Sequence, residues 1–214
     1  MRKTLIIVVA VLLFSGSAFA SITGSAHDFS ASTVSGEICV LCHTPHGADI
    51  TTNNAPLWNH AATEAASFIP YDNTSATQDS VPGQPNGISK LCLSCHDNTV
   101  AIDAFGGASG DPTDLIATYD LGGTKQVGYA DIGIDLSDDH PIGITYDALL
   151  ISEDGGLHPL STATMVGNDT IADILFGGKV ECASCHDVHS EQSNVNLLYR
   201  DNANSTLCLT CHDK

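Results

Sequence analysis

The segment Cys39-Val40-Leu41-Cys42-His43-Thr44-Pro45-His46 decides the fold, because its C-x-x-C-H pattern occurs three more times in the chain. The later copies are Cys92-Leu93-Ser94-Cys95-His96, Cys182-Ala183-Ser184-Cys185-His186 and Cys208-Leu209-Thr210-Cys211-His212. All eight cysteines lie in these four pairs, and a histidine follows each pair at once. We number the motifs 1 to 4 in chain order. A pattern that uses every cysteine indicates a fold built around what the motif binds.

C-x-x-C-H is typical of c-type haem attachment. Its two thiols add to the two vinyl groups of one macrocycle, and the adjacent histidine binds the iron as the proximal ligand. The sequence therefore predicts four haem c groups. The predicted covalent attachment residues are Cys39, Cys42, Cys92, Cys95, Cys182, Cys185, Cys208 and Cys211, and the predicted proximal ligands are His43, His96, His186 and His212.

Three other uses of paired cysteines fit less well. Structural zinc sites use C-x-x-C pairs but need no histidine after each pair. Disulfides suit exported proteins, yet bonds within such tight pairs would cross-link almost nothing. Thioredoxin-like motifs occur once per domain in a βαβ setting, which this sequence lacks.

The sixth iron ligand separates an electron carrier from a catalyst with an open iron position. Apart from Met1, the chain has one methionine, Met165, so at most one haem can be ligated by His and Met. Six histidines lie outside the motifs: His27, His46, His60, His140, His158 and His189. Four of them would make every haem bis-histidine.

His46 and His189 are the first candidates, because each follows a proximal histidine by three residues. On a helix this spacing places two side chains on one face, so the pair cannot be the two opposite ligands of one iron. If His189 binds iron, it binds a neighbouring haem. Pro45 disfavours helical geometry before it and turns His46 outward. The alternative is that these histidines are solvated surface residues.

The other two distal ligands come from His27, His60, His140 and His158, and residue patterns alone leave this choice open. A lone histidine in a loop is most often solvated. Asp28 beside His27, and Asp138 and Asp139 before His140, could accept a ring N–H as outer-shell partners.

Amphipathic segments of ten or more residues are almost absent after residue 20, so layers of helix or sheet cannot supply the core. Haem faces can replace them, at about 25 cal/mol per Å² of apolar surface buried. We expect a multihaem cytochrome c, mostly irregular coil with short helices wrapped around four stacked haems and little sheet. A short strand is predicted at Val127 to Leu136 and a short helix at Thr170 to Phe176.

Residues 1–20 have the pattern of a signal peptide: Arg2 and Lys3, an apolar run, and Ala18-Phe19-Ala20 as a cleavage site. Residues 21–214 then form one tetrahaem domain that is secreted and has no membrane span. The net charge of −18 makes nucleic acid an unlikely partner.

The chain resembles the extracellular tetrahaem filament (nanowire) cytochromes of metal-reducing bacteria. Beyond the four motifs and the signal peptide, the resemblance rests on the following stretches: His27-Asp28, Ile38 through Gly47, Leu57-Trp58-Asn59, Ser89 through Asp97, Asp138 through Pro141, and Cys182 through His189. It covers essentially the whole chain.

The resemblance implies a homopolymer that conducts electrons outside the cell, reached through the periplasm. It implies that His46 ligates a haem of the neighbouring subunit, and it favours His27 and His140 over His60 and His158 as remaining ligands. Other electron-transfer proteins and extracellular electron acceptors are the further partners implied.

Two rival functions are compatible with these residues. A monomeric periplasmic electron shuttle would carry the same haems without the polymer. A multihaem reductase would need an open iron position with nearby acids or cations, and spare histidines with few basic residues weigh against it. We therefore expect an electron-transfer protein and not an enzyme.

Overall fold

The computed structural model describes residues 22–31, 36–71, 78–113, 115, 130–164, 166–167, 169–189 and 194–213. The predicted signal peptide, Met165 and the first three residues of the strand predicted from Val127 lie outside these ranges.

Regular secondary structure is short throughout the described chain. The α-helices are α1 (Ile88–His96), α2 (Ala148–Asp154) and α3 (Cys182–Cys185). The strands are β1 (Ile69–Pro70), β2 (Asp135–Leu136), β3 (Ile144–Thr145) and β4 (Lys179–Val180). Five 3-10 helices span Phe29–Ala31, Ile171–Ile174, Val195–Leu197, Ala203–Ser205 and Cys208–Thr210. The expectation of a coil-rich chain with few helices and little sheet is confirmed.

The strands form two small pairs. β1 pairs in parallel with β2, with Ile69 opposite Asp135, and β3 pairs antiparallel with β4, with Ile144 opposite Val180. In the described part of the predicted strand at 127–136, only β2 is extended and paired. The helix predicted at 170–176 is the 3-10 helix Ile171–Ile174, which the Asp173 carboxylate caps by accepting the Thr170 N–H at 2.8 Å.

Apolar side chains form small separate clusters. Phe68, Leu93 and Leu136 make one cluster, and a second joins Val100, Ala101 and Ala104. The described apolar residues therefore do not build one contiguous core of the kind that helix or sheet layers make.

A buried polar link joins motif 2 to motif 3. Ser89, in the first turn of α1, is fully buried, and its hydroxyl donates to the Glu181 carboxylate at 2.5 Å. The same Ser89 oxygen accepts the Cys182 backbone N–H at 3.0 Å. Glu181 is only 3% exposed. Because buried polar groups need partners, this link sets how α1 and α3 lie against each other.

Candidate haem-binding site

The four motifs share one local backbone geometry. In motifs 1, 3 and 4 the histidine N–H donates to the carbonyl of the first cysteine, at 2.8 Å for His43–Cys39, 3.0 Å for His186–Cys182 and 3.0 Å for His212–Cys208. In motif 2 the same residues form the last turn and a half of α1. One helical turn thus places two sulfur atoms and an imidazole side by side, which is the arrangement needed to grip one macrocycle.

Three proximal rings are oriented by backbone carbonyls. Nδ1 of His43 lies 2.7 Å from the Pro56 oxygen, and Nδ1 of His96 lies 2.7 Å from the Ala130 oxygen. Nδ1 of His186 lies 3.0 Å from the Asn196 oxygen. A ring that donates through Nδ1 keeps the Nε2 lone pair available for a metal. Sequence reasoning missed these partners, because a backbone carbonyl has no side-chain signature.

Motifs 1 and 3 are followed by loops of the same design. After motif 1, the Thr44 N–H donates to the Leu57 carbonyl at 2.9 Å. After motif 3, the Asp187 N–H donates to the Leu197 carbonyl at 2.6 Å. Leu57 and Leu197 both have φ of 55°. The two loops differ in length, yet they return to their motif in the same way, so His46 and His189 occupy equivalent positions.

Three proximal histidines each face a second histidine. The ring centroids are 5.9 Å apart for His96 and His27, 6.2 Å for His43 and His189, and 6.5 Å for His212 and His140. A metal–imidazole nitrogen bond is about 2 Å long, and a ring nitrogen lies about 1 Å from its ring centroid. Two imidazoles that bind one iron from opposite sides would therefore have centroids about 6 Å apart. The three separations match that requirement.

The fourth proximal histidine differs. Within the described residues, His186 forms no such ring pair. His46 lies on the surface after exposed Pro45, and its segment is a bend closed by the Thr44 hydroxyl, which donates to the His46 carbonyl at 2.8 Å. His189 also lies in a turn and not on a helix. Its ring meets the ring of motif 1, not that of its own motif.

The two reserve candidates have other surroundings. His60 is 4% exposed, and its Nδ1 and Nε2 lie 2.9 and 3.0 Å from the carbonyls of Ala61 and Ala101. A neutral imidazole donates to only one of these carbonyls, and Nε2 also lies 3.5 Å from the Cys95 Sγ. The His158 backbone pairs with motif 4, its N–H donating to the Cys211 carbonyl at 2.8 Å. Its ring forms no histidine pair in the described part of the chain.

The suggestion that neighbouring aspartates accept the ring N–H groups of His27 and His140 is wrong. The Asp28 carboxylate accepts the Gly24 N–H at 2.6 Å and the Ser30 hydroxyl at 2.5 Å, so it closes its own turn and leaves His27 Nδ1 without an acceptor. The ring of His140 is oriented by the Pro141 carbonyl, 3.0 Å from Nδ1, and not by the preceding aspartates. Carboxylates in turns bond to nearby backbone first, because that partner costs little chain entropy.

Consecutive motifs lie next to one another. Burial raises the pKa of Cys95 to about 12, with the nearby Cys42 thiol acting in the same direction. A hydrogen bond with Cys182 raises the pKa of Cys92, and burial adds to this. Burial raises the pKa of Cys185 to about 11, with Cys211 nearby. Motif 1 thus neighbours motif 2, motif 2 neighbours motif 3, and motif 3 neighbours motif 4.

The paired histidines of motif 2 are held neutral. Burial lowers the pKa of His27 to about 4, with the neighbouring His96 and His186 acting in the same direction. Burial also lowers the pKa of His96. A neutral imidazole has the free lone pair that a metal needs.

The donor set fits haem c. All eight cysteines are unpaired thiols, and a buried polar atom beside motif 1, Trp58 Nε1, lacks a partner. Orphaned buried atoms of this kind mark places where a further group belongs. Across the described residues, no three His, Cys, Asp or Glu side chains converge as a structural zinc site requires.

The family comparison agrees with this chemistry. Residues 176–214 match the family described as the doubled CXXCH motif, which covers motifs 3 and 4. The match indicates covalent haem c binding and a multihaem c-type cytochrome, a class whose usual role is electron transfer. No curated protein matches the chain. In the ranges that the structure describes, no helix is long and apolar enough to cross a membrane.

Proposed function

We propose that the protein transfers electrons through four covalently bound, bis-histidine haem c groups. The observation that carries the proposal is the set of ring pairs at 5.9, 6.2 and 6.5 Å, each joining one motif histidine to a histidine from elsewhere. The distal ligands in this proposal are His27, His140 and His189 within the chain and His46 between chains.

Each residue type has a distinct part in this function. When bound, haem c supplies one-electron exchange between ferric and ferrous iron. The cysteines anchor and orient the macrocycle, and the carbonyls of Pro56, Ala130 and Asn196 fix the tautomer and raise the basicity of three proximal rings. Strong histidine donors together with the acidic chain favour ferric iron and keep the reduction potentials low.

Electron transfer is favoured over catalysis because a second histidine ring faces three of the four proximal rings. A reductase needs an open iron position lined by acids or cations. Adjacent motifs lie close together along the series from 1 to 4, which suits electron hopping between neighbouring macrocycles.

We propose further that subunits join head to tail into a filament. His46 of one subunit binds the iron carried by His186 of the partner subunit. Three features support this pairing: His46 is exposed, His186 has no ring pair in the described chain, and His46 is the structural equivalent of His189. The resemblance to filament cytochromes points the same way.

Export completes the proposal. The leader at residues 1–20 directs the chain through the periplasm to the outside of the cell. Its partners there are further copies of itself, other electron-transfer proteins and extracellular electron acceptors.

Two measurements test the function. A pyridine haemochrome assay is expected to give four haems per chain, and the oxidised spectrum is expected to be low-spin throughout the assembled protein. Fewer haems, or a large high-spin fraction after assembly, would overturn the tetrahaem bis-histidine proposal.

The polymer is tested with His46→Ala and with His158→Ala as the matched control. Negative-stain imaging and size-exclusion chromatography should show filaments for the wild type and the control, and monomers with one high-spin haem for His46→Ala. A wild type that stays monomeric at high concentration, with the same haems, would instead support the shuttle.

A further inference from the structure

We propose that the haem held by Cys92, Cys95 and His96 has an exchangeable sixth position, at which a small neutral ligand displaces His27. The ligand class is that of diatomic molecules that bind ferrous iron, such as carbon monoxide or nitric oxide. The inference rests on the proposed haem binding and adds a ligand site to it.

The first support is the unsatisfied ring of His27. Its Nδ1 is shielded from solvent and has no hydrogen-bond partner. A ligand histidine ordinarily donates this N–H to a carbonyl or carboxylate, which fixes the ring and strengthens its bond to the metal. Within the described chain His27 lacks that support, which weakens its bond to iron.

The other distal candidates are better held. His140 has the Pro141 carbonyl 3.0 Å from Nδ1. His189 lies three residues beyond the covalently anchored motif 3, and its backbone N–H donates to the Asp187 carboxylate at 3.0 Å. The His140 ring therefore has the carbonyl partner that the His27 ring lacks, and the His189 backbone is fixed beside its motif.

The second support is the attachment of the segment that carries His27. We call residues 22–31 the N-terminal arm. Its backbone bonds run from Ser25 to Ile22, from Asp28 to Ser25 and from Phe29 to His27, all inside the arm. Its side-chain bonds are also internal, from Gly24, His27 and Ser30. No described hydrogen bond ties the arm to the rest of the chain, so release of His27 breaks none.

The surroundings select neutral ligands. The His27 Nδ1 is shielded from solvent, and such a buried position disfavours a charged ligand. The chain has a net charge of −18, which repels anions. In the exchange one iron–nitrogen bond breaks and one iron–carbon bond forms, with no change of oxidation state when carbon monoxide is the ligand.

The experiment is carbon monoxide binding to the assembled, haem-loaded protein reduced with dithionite. We expect about one haem in four to form the adduct. The rate of adduct formation should reach a plateau as the carbon monoxide concentration rises, because His27 must leave the iron first. No adduct in the wild type, or a rate that rises linearly without a plateau, would overturn the proposal.

The His27→Ala variant identifies which haem binds carbon monoxide. This variant should bind carbon monoxide at the same single haem, without the plateau. A doubled amplitude would show that the wild-type site is another haem and would refute the assignment. Haem content measured on the same sample shows whether the variant is loaded, which separates this result from failure of the tetrahaem proposal.

Arm loosening is tested with Asp28→Ala, which removes the carboxylate that closes the arm's turn. The plateau rate should rise several-fold. Asp111→Ala is the matched control, since Asp111 closes an equivalent exposed turn by accepting the Thr113 N–H at 2.9 Å, away from the arm. Equal rates for Asp28→Ala and wild type would contradict control by the arm.

Discussion

The His189 ring lies 6.2 Å from the His43 ring with the two planes 16° apart, although these residues belong to motifs 3 and 1. The chain between them includes motif 2 and residues 97–181, which separate motif 2 from motif 3. A ligand that comes from another motif couples the position of one haem to the position of the next. Substitution of such a residue should therefore affect a haem that its own motif does not bind.

The spin state of the haem attached to motif 1 tests this relationship. We expect His189→Ala to convert one haem in four to high spin, and that haem should be the one attached through Cys39 and Cys42. Electron paramagnetic resonance of the oxidised protein measures the fraction, and His60→Ala is the control. Four low-spin haems in His189→Ala would contradict the prediction.

His60 is expected to stabilise the fold without ligating iron. Both of its ring nitrogens lie near carbonyls, of Ala61 and Ala101. His60→Ala removes the ring donor from a buried carbonyl and should lower the free energy of unfolding by about 1–3 kcal/mol. Denaturant unfolding measures this loss. New high-spin haem in the variant would instead make His60 a ligand.

Ser89 should control how the haems of motifs 2 and 3 interact. Ser89→Ala removes the donor to Glu181 and the acceptor for the Cys182 N–H. We expect a loss of about 1–3 kcal/mol in stability and a weaker exciton couplet in Soret circular dichroism. Ser94→Ala is the control, because this buried serine donates to the Leu91 carbonyl at 2.6 Å and also contacts the Cys95 thiol, and both partners lie in α1. Equal couplets in both variants would exclude the positioning role.

Glu181 should make stability depend on pH. Burial raises the pKa of its carboxyl, outweighing the Ser89 hydrogen bond and Lys179. An acid with a raised folded-state pKa stabilises the fold below its unfolded pKa, about 4.3, and this contribution is lost as pH rises through the folded pKa. Relative to Glu181→Gln, the wild type should therefore lose stability from pH 4 upward. Unfolding curves at several pH values measure this, with exposed Glu153→Gln as control; parallel curves would contradict it.

Filament assembly should depend on salt. Subunits with a net charge of −18 repel one another. Raising ionic strength from 0.01 to 0.15 M shortens the Debye length from about 30 to about 8 Å, so assembly should improve. Sedimentation measures polymer mass, and His46→Ala should stay monomeric at both salt concentrations. Faster disassembly at higher salt would contradict the charge argument.

Sequence reasoning went furthest where chemistry is local. The motif spacing alone predicts the turn that joins Cys39 to His43, and the lack of amphipathic periodicity predicts the coil-rich fold. The suggestion that the Asp28 carboxylate could accept the His27 ring N–H was wrong, because the carboxylate accepts from the Gly24 N–H and the Ser30 hydroxyl of its own turn.

Long-range relationships could not be predicted. Nothing in the order of residues shows that His189 meets His43, or that Ser89 meets Glu181, since these contacts depend on how the loops return. The resemblance to filament cytochromes favours His27 and His140, and the structure places both opposite motif histidines. Their role as iron ligands stays a prediction.

His46 is exposed, and the His186 ring forms no histidine pair in the described chain. These two residues have a consequence for any assembly built from them. They are different surfaces of one chain, so their contact is heterologous and does not close into a symmetric pair. A filament of this kind is directional, with a bare imidazole at one tip and an iron lacking its sixth ligand at the other. Free imidazole would then act as a chain terminator at the iron tip alone, and growth could be stopped without touching the opposite end.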